Sequence, residues 1–246
     1  MNDNLLTVHN IGPKSLKVSK TIGGVVADYD IINEGDKIMV AVSGGKDSLA
    51  LLDLLLYRRT FAPVNFELMA VYVDMSMPGF PVDTLVDFFE SREVQYHIEK
   101  VDLQGLTWDK MNCYWCSWNR RKALFLLAER TGFNKIAFGH HLDDIVETIL
   151  MNQFLHAEIS AMRPYQEMFG GKLKLIRPLA YAEEREIIAM AQERGYPQID
   201  KKKCPLHEKS QRLVMRRWLA PIAKEYPAVK KNIMNSLKNI NKEYLL

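Results

Sequence analysis

From Lys37 to Tyr57 the chain reads KIMVAVSGGKDSLALLDLLLY. An apolar run of strand character passes through a glycine pair among small polar residues into a second apolar run of helical character. A strand that becomes a helix within so few residues commits the chain to a βα unit, and the pattern then repeats. Strand-like runs rich in β-branched and aromatic residues occupy 37–42, 66–74, 94–101 and 135–139, with 172–179 as a fifth candidate. Helical patterns fill the gaps at 47–59, 81–92, 117–132 and 142–155, and Gly132 stands where a helix C-cap belongs. Such alternation implies an α/β fold, a parallel sheet with helices on both faces. Three more helical patterns follow residue 182. The expected organisation is an N-terminal segment (1–36) packing on the core, an α/β domain (37–180) and a helical part (181–246).

Ligands of parallel sheets gather beyond the carboxyl ends of the strands. Ser43–Ser48, Asp74–Gly79 and Gly139–Asp144 are therefore expected to converge on one crevice. Ser43-Gly44-Gly45-Lys46-Asp47-Ser48 can turn sharply and aim successive N–H groups at one point, an anion nest completed by a helix N-terminus. Ser43 and Ser48 add hydroxyls and Lys46 a mobile charge. Asp47, odd beside an anion, makes sense if Mg²⁺ accompanies phosphates; as a bare βα turn, Asp47 would only cap the helix. The loop has neither Walker A nor G-x-G-x-x-G spacing.

Charge and cysteines narrow the partners. The formal net charge is +3, but Lys and Arg far outnumber Glu from Lys201 onward, which suits a polyanion, nucleic acid before membrane; a solvated helix face is the plain alternative. No run approaches the roughly twenty apolar residues of a membrane span, and the N-terminus lacks the apolar core of a secretory signal, so a cytoplasmic protein is expected. The three cysteines are Cys113, Cys116 and Cys204, the first two spaced C-x-x-C ahead of a predicted helix. Arg120 and Arg121 in its first turns favour a thiolate. Three thiolates do not complete a structural zinc site unless His207 joins them; on a [4Fe–4S] cluster they leave one iron open; redox use is a third alternative. In IAFGHHLDDIVETIL, His140, His141, Asp143 and Asp144 crowd a strand end, more than helix capping asks for, and point to metal or proton-transfer duty.

SGGKDS resembles the signature of the PP-loop ATP pyrophosphatases, Rossmann-like enzymes that split ATP into AMP and pyrophosphate. Together with GGVVADYDIINEGDKIMVAVSGGKDS, MPGFPVDTLVDFF, CYWCSWNRRKALF, KIAFGHHLDDIVETILMN, LIRPLAYAEEREI and KKKCPLHEKSQRLV, it resembles the tRNA 2-thiocytidine synthetase family over most of the chain. That family often has a second C-x-x-C near its third ligand; here only Cys204 remains, with Lys201 in the other place. The resemblance implies an ATP-dependent tRNA sulfurtransferase that adenylates the 2-carbonyl oxygen of a cytidine, position 32 of the anticodon loop, before sulfur replaces oxygen. It implies ATP contacts from Ala41, Ser43, Gly44, Gly45, Lys46, Asp47, Ser48, Gly139, His140 and Arg120, with Tyr72 and Asp74 near adenine or ribose. Lys46, Asp47 and Asp144 are the implied catalytic groups, the two carboxylates organising Mg²⁺ or the reacting groups. The resemblance further implies that Cys113, Cys116 and Cys204 hold a [4Fe–4S] cluster, with a cysteine persulfide route as the variant. It further implies a cysteine desulfurase or sulfide as the sulfur source and tRNA as the partner, and leaves a homodimer open. Thiolation of a uridine, a PP-loop ligase reaction, and RNA binding with structural zinc are the alternatives.

Overall fold

The structure, a computed structural model, describes residues 10–76, 80–101, 113–197 and 211–244. Cys204, His207, the Cys113 side chain and residues 77–79 of the second predicted loop lie outside the described residues. In chain order the elements are α1 (Pro13–Tyr29), β1 (Asp36–Ala41), α2 (Lys46–Arg59), β2 (Phe66–Asp74), α3 (Val82–Glu90), β3 (Gln95–Lys100) and α4 (Cys113–Thr131). Then come β4 (Lys135–Phe138), α5 (Leu142–His156), β5 (Tyr165–Met168), β6 (Leu173–Ile176), α6 (Glu184–Arg194), α7 (Gln211–Glu225) and α8 (Val229–Ser236).

The strands form one mixed sheet in the order β3-β2-β1-β4-β6-β5. Every neighbouring pair is parallel except the edge pair β5–β6. Of that edge hairpin, β6 falls within the fifth candidate run, 172–179, and β5 is absent from the sequence reading. The hairpin closes through Phe169, Gly170 and Gly171, all at positive φ (53°, 65° and 85°), a conformation two of the three reach at no steric cost.

Alternation along β1 splits the core. Ile38 and Val40 face a cluster built with α1, α2, α3, α5 and α6, whereas Met39 faces a smaller one with Met69, Val71, Leu124 and Leu127, under α4. Helix α4 begins at Cys113, not at 117: no Gly or Pro in CYWCSW interrupts it, so both cysteines belong to its first turn. Helix α1, also absent from the sequence reading because Gly23 and Gly24 lower its propensity, is held from outside. Its Gly12 N-cap has no side chain, and Glu193 of α6 accepts the N–H groups of Lys14 (2.9 Å) and Ser15 (2.8 Å) instead. No described helix is long and apolar enough to cross a membrane.

A buried charge cluster locks α2 to α3 and α6. Asp53, 1% exposed, accepts from Arg92 Nε (2.8 Å), Arg194 Nε (2.9 Å) and the Tyr196 hydroxyl (3.0 Å). Removing one partner of such a group strands the others' charge. Asp53→Asn is therefore expected to lower unfolding free energy by about 3–5 kcal/mol, read as a shifted urea midpoint at unchanged slope.

Candidate active site

The glycine loop is shaped by its own backbone. The Val42 N–H still bonds Val71 O (2.8 Å); Gly44 then turns at φ 75°, and Gly45 caps α2 in extended conformation. Ser48 braces the turn: its buried Oγ accepts the Ser43 N–H (3.0 Å) and donates to Gly45 O (2.9 Å). Its hydroxyl proton is thus spent inside the loop, and Ser48 supports the nest rather than donating to an anion. The N–H groups of Gly44, Gly45, Lys46 and Asp47 find no acceptor among the described residues and stand at the positive end of α2. The tip of β4 presses on this start: a Cβ at Gly139 would lie 3.0 Å from Asp47 C and O and from Ser48 N. Backbone atoms cannot swing aside, so only glycine keeps the nest undisturbed. Ala41, half-buried, ends β1 directly beneath it.

Lys46 Nζ lies 2.9 Å from Asp47 Oδ1 and 3.0 Å from Glu184 Oε1. Burial works against its charge, but the two carboxylates outweigh it and hold the ammonium above its ordinary pKa. Glu184, at the first position of α6, also meets Arg216 Nη1 of α7 (3.2 Å), whose Nε reaches the buried Glu147 of α5 (2.7 Å). Glu184, Arg216 and Lys230 were missed in the sequence; their only signal was charge in otherwise amphipathic helices. Lys230 of α8 pairs with Asp143 Oδ1, and Asp143 Oδ2 accepts the Glu184 N–H (2.8 Å). Burial would raise the Asp143 pKa, but Lys230 and that N–H hold it low. Asp143 thus ties α5 to α6 and α8.

His141 is the N-cap of α5, and Asp144 Oδ2 accepts its backbone N–H (3.1 Å). The buried imidazole lies between two carboxylates, Nε2 being 3.7 Å from Asp47 Oδ1 and 3.5 Å from Asp144 Oδ2. The structure therefore brings Asp47 and Asp144 together from separate loops. His140 stacks on Phe138 (centroids 5.6 Å apart). Burial, then the charges of Arg177, Arg212 and Arg121, push its pKa down to about 3, so the ring is neutral at neutral pH. The unfolded chain binds a proton near pH 6.5 that the folded chain refuses. Stability from this site is full above pH 6.5 and drains as pH falls toward 3. In denaturation series at pH 7, 6 and 5, wild type is expected to lose stability more steeply than His140→Gln.

At the tip of β2, Tyr72 is buried with its ring stacked on Phe80 (4.8 Å, 9°). Phe80 covers one face of the ring, which packs with the core. Asp74 Oδ1 accepts the Ser76 N–H (2.8 Å) and shapes the turn. Burial first, and then the Asp74 charge, raise the pKa of the Tyr72 hydroxyl; the half-buried Cys116 packs on the α4-side cluster that includes Val71 and Val73 of β2. Of the three thiols, only Cys116 is placed by the described residues.

The chain matches the PP-loop domain family over residues 15–221. The tRNA-cytidine(32) 2-sulfurtransferase of Geobacter sulfurreducens is 40% identical over 237 residues, 94% of this chain and 92% of that protein. Its counterpart from Xylella fastidiosa is 43% identical over 234 residues, 93% of this chain and 78% of that protein. Among solved structures, the U34-tRNA thiolase NcsA from Methanococcus maripaludis with its [4Fe-4S] cluster superposes with a TM-score of 0.75 over 95% of this chain and 80% of that chain. Its identity is 23%, so the likeness speaks to fold alone. With an amide nest at the first strand's tip and this similarity over nearly its whole length, the chain belongs to the PP-loop family and, within it, to the sulfur-transferring tRNA-cytidine(32) 2-sulfurtransferases.

Proposed function

We propose that this chain adenylates the 2-carbonyl oxygen of cytidine 32 in tRNA and exchanges that oxygen for sulfur. The observation that carries the reading is the nest of unbonded amides at the carboxyl end of β1, with Lys46 beside it. The cytidine O2 attacks the α-phosphorus of ATP and pyrophosphate leaves. A sulfur nucleophile then attacks C2, and AMP departs with the former carbonyl oxygen. A carbonyl oxygen is a very poor leaving group, and adenylation turns it into a stabilised phosphate ester.

The amides of Gly44, Gly45, Lys46 and Asp47 are aimed where charge grows on the departing pyrophosphate. Lys46 exchanges Asp47 and Glu184 for phosphate oxygens as ATP enters. Asp47 and Asp144 are hard oxygen donors on either side of His141, partly exposed (side chains 21% and 17%), and suit Mg²⁺. Cys116, half-buried in the first turn of α4 beside the Arg120 charge, suits a thiolate ligand; Cys113, Cys116 and Cys204 would hold the [4Fe–4S] cluster. Bound there, the cluster supplies an iron site at which sulfide can be presented. Exposed Arg217, Lys224 and Lys231 on α7 and α8 supply phosphate contacts for tRNA, and an unstacked loop base reaches the crevice more readily than a paired one.

Nucleoside mass spectrometry of tRNA from a strain lacking the protein tests this. Loss of 2-thiocytidine alone is expected. Loss of a thiouridine would move the substrate to another base, and an unchanged profile would end the reading.

A further inference from the structure

The ends of β4 and β6 are neighbours in the sheet, Ala137 standing opposite Ile176. The next residue, Arg177, is 5% exposed. A buried guanidinium is costly unless a carboxylate pairs with it, and among the described residues Arg177 has none. Its Nη1 donates to the Arg163 carbonyl, while its enclosed Nε has no acceptor. At the neighbouring tip of β4, Nδ1 of His140 is likewise enclosed and without a hydrogen-bond partner, as is Nδ1 of His141. The exposed Arg121 completes the group, its charge felt by both Arg177 and His140. Arg212 also faces His140, but it is engaged by Asp144 at 3.4 Å.

Structural arginines in this protein look different. Arg92 and Arg194 converge on Asp53, and Arg216 holds Glu147 and Glu184. Here like charges gather without a carboxylate, which costs stability unless an anion joins them. Burial, and next the charge of Arg121, push the Arg177 pKa down to about 10. The cluster is also displaced from the glycine loop. β6 lies two strands from β1, about 10 Å at ordinary sheet spacing, too far for one group to fill both sites.

We propose that Arg177 and Arg121, with His140 beside them, form a second oxyanion site that grips a phosphoryl group other than the departing pyrophosphate. Planar guanidiniums match phosphoryl oxygens in pairs. Two sources share that chemistry: a phosphodiester of the RNA next to the target base, and the α-phosphoryl group of the nucleotide. The thiolation reading is needed only to name RNA as one of them.

The test uses the full chain with Arg177→Met and Arg121→Gln. It compares tRNA binding across a salt series, Mg–ATP binding, and melting temperature. If RNA fills the site, each variant weakens tRNA binding about tenfold and lowers the slope of log K against log salt by about one, with ATP affinity unchanged. If the nucleotide fills it, ATP affinity falls about tenfold and the salt slope holds. Either result supports the site, the melting temperature serving to show that each variant is folded. Unchanged affinities for both ligands overturn it; should Arg177→Met not fold, Arg121→Gln alone decides in the same terms. A wild type that binds tRNA yet makes no 2-thiocytidine would end the thiolation reading and leave this comparison readable.

Discussion

Lys46→Met is expected to slow tRNA-dependent release of AMP and pyrophosphate by about 10²–10³-fold in kcat, with a smaller change in the KM for ATP. Two carboxylates hold the ammonium charged, so the group is ready whenever phosphates displace them. Its largest contribution comes late, when the bond to the α-phosphorus breaks and charge moves onto pyrophosphate; an interaction that strengthens on the way to the transition state appears in kcat rather than in binding. The variant should fold. Glu184 keeps Arg216 at 3.2 Å, and Asp47 keeps the His141 imidazole 3.7 Å away. Pyrophosphate release in single-turnover and steady-state assays separates the cases. A variant with wild-type kcat and raised KM would show that Lys46 only binds ATP.

The sheet and the glycine loop were legible because local chemistry dictates them. β2 runs over 66–74 as read, since FELMAVYVD is β-branched, aromatic and bounded by polar residues. The nest follows from a glycine that must reach φ 75° between a strand and a helix. What stayed hidden depends on distant partners. Helix α1 owes its start to a carboxylate 179 positions away in sequence. Strand β5 has a short polar face and exists because a Phe-Gly-Gly turn folds it onto β6. Ser48 carries the residue type expected of a phosphate donor, yet its hydroxyl is spent on Gly45 O. Glu184, Arg216 and Lys230 reach the site only because α6 packs on α1 and α2 while α7 and α8 pack on α5. Arg177 sits in a motif singled out for its resemblance, but a buried arginine without a carboxylate is visible only in three dimensions.

Cys116→Ser separates the two halves of the reaction. Serine replaces sulfur with oxygen at nearly the same volume, so the half-buried position against the α4-side core stays filled and the melting temperature should move by only a few degrees. The hydroxyl is neither a soft ligand nor ionised at neutral pH, so it cannot stand in for a thiolate. Nothing about the variant touches the amides of Gly44 to Asp47, Lys46 or the Asp47–Asp144 pair. ATP affinity should stay within about twofold of wild type, because the nest is built from main-chain amides braced by Ser48, none of which the variant alters. Formation of 2-thiocytidine should fall below detection, and iron bound after anaerobic reconstitution should fall with it. The pairing of outcomes is what discriminates. A PP-loop ligase needs no thiol and would keep its full turnover in this variant, whereas a chain using Cys116 only for packing would keep iron and thiolation together. Loss of both with ATP binding intact would tie sulfur delivery to the thiol in the first turn of α4 and leave the pyrophosphate nest out of that step.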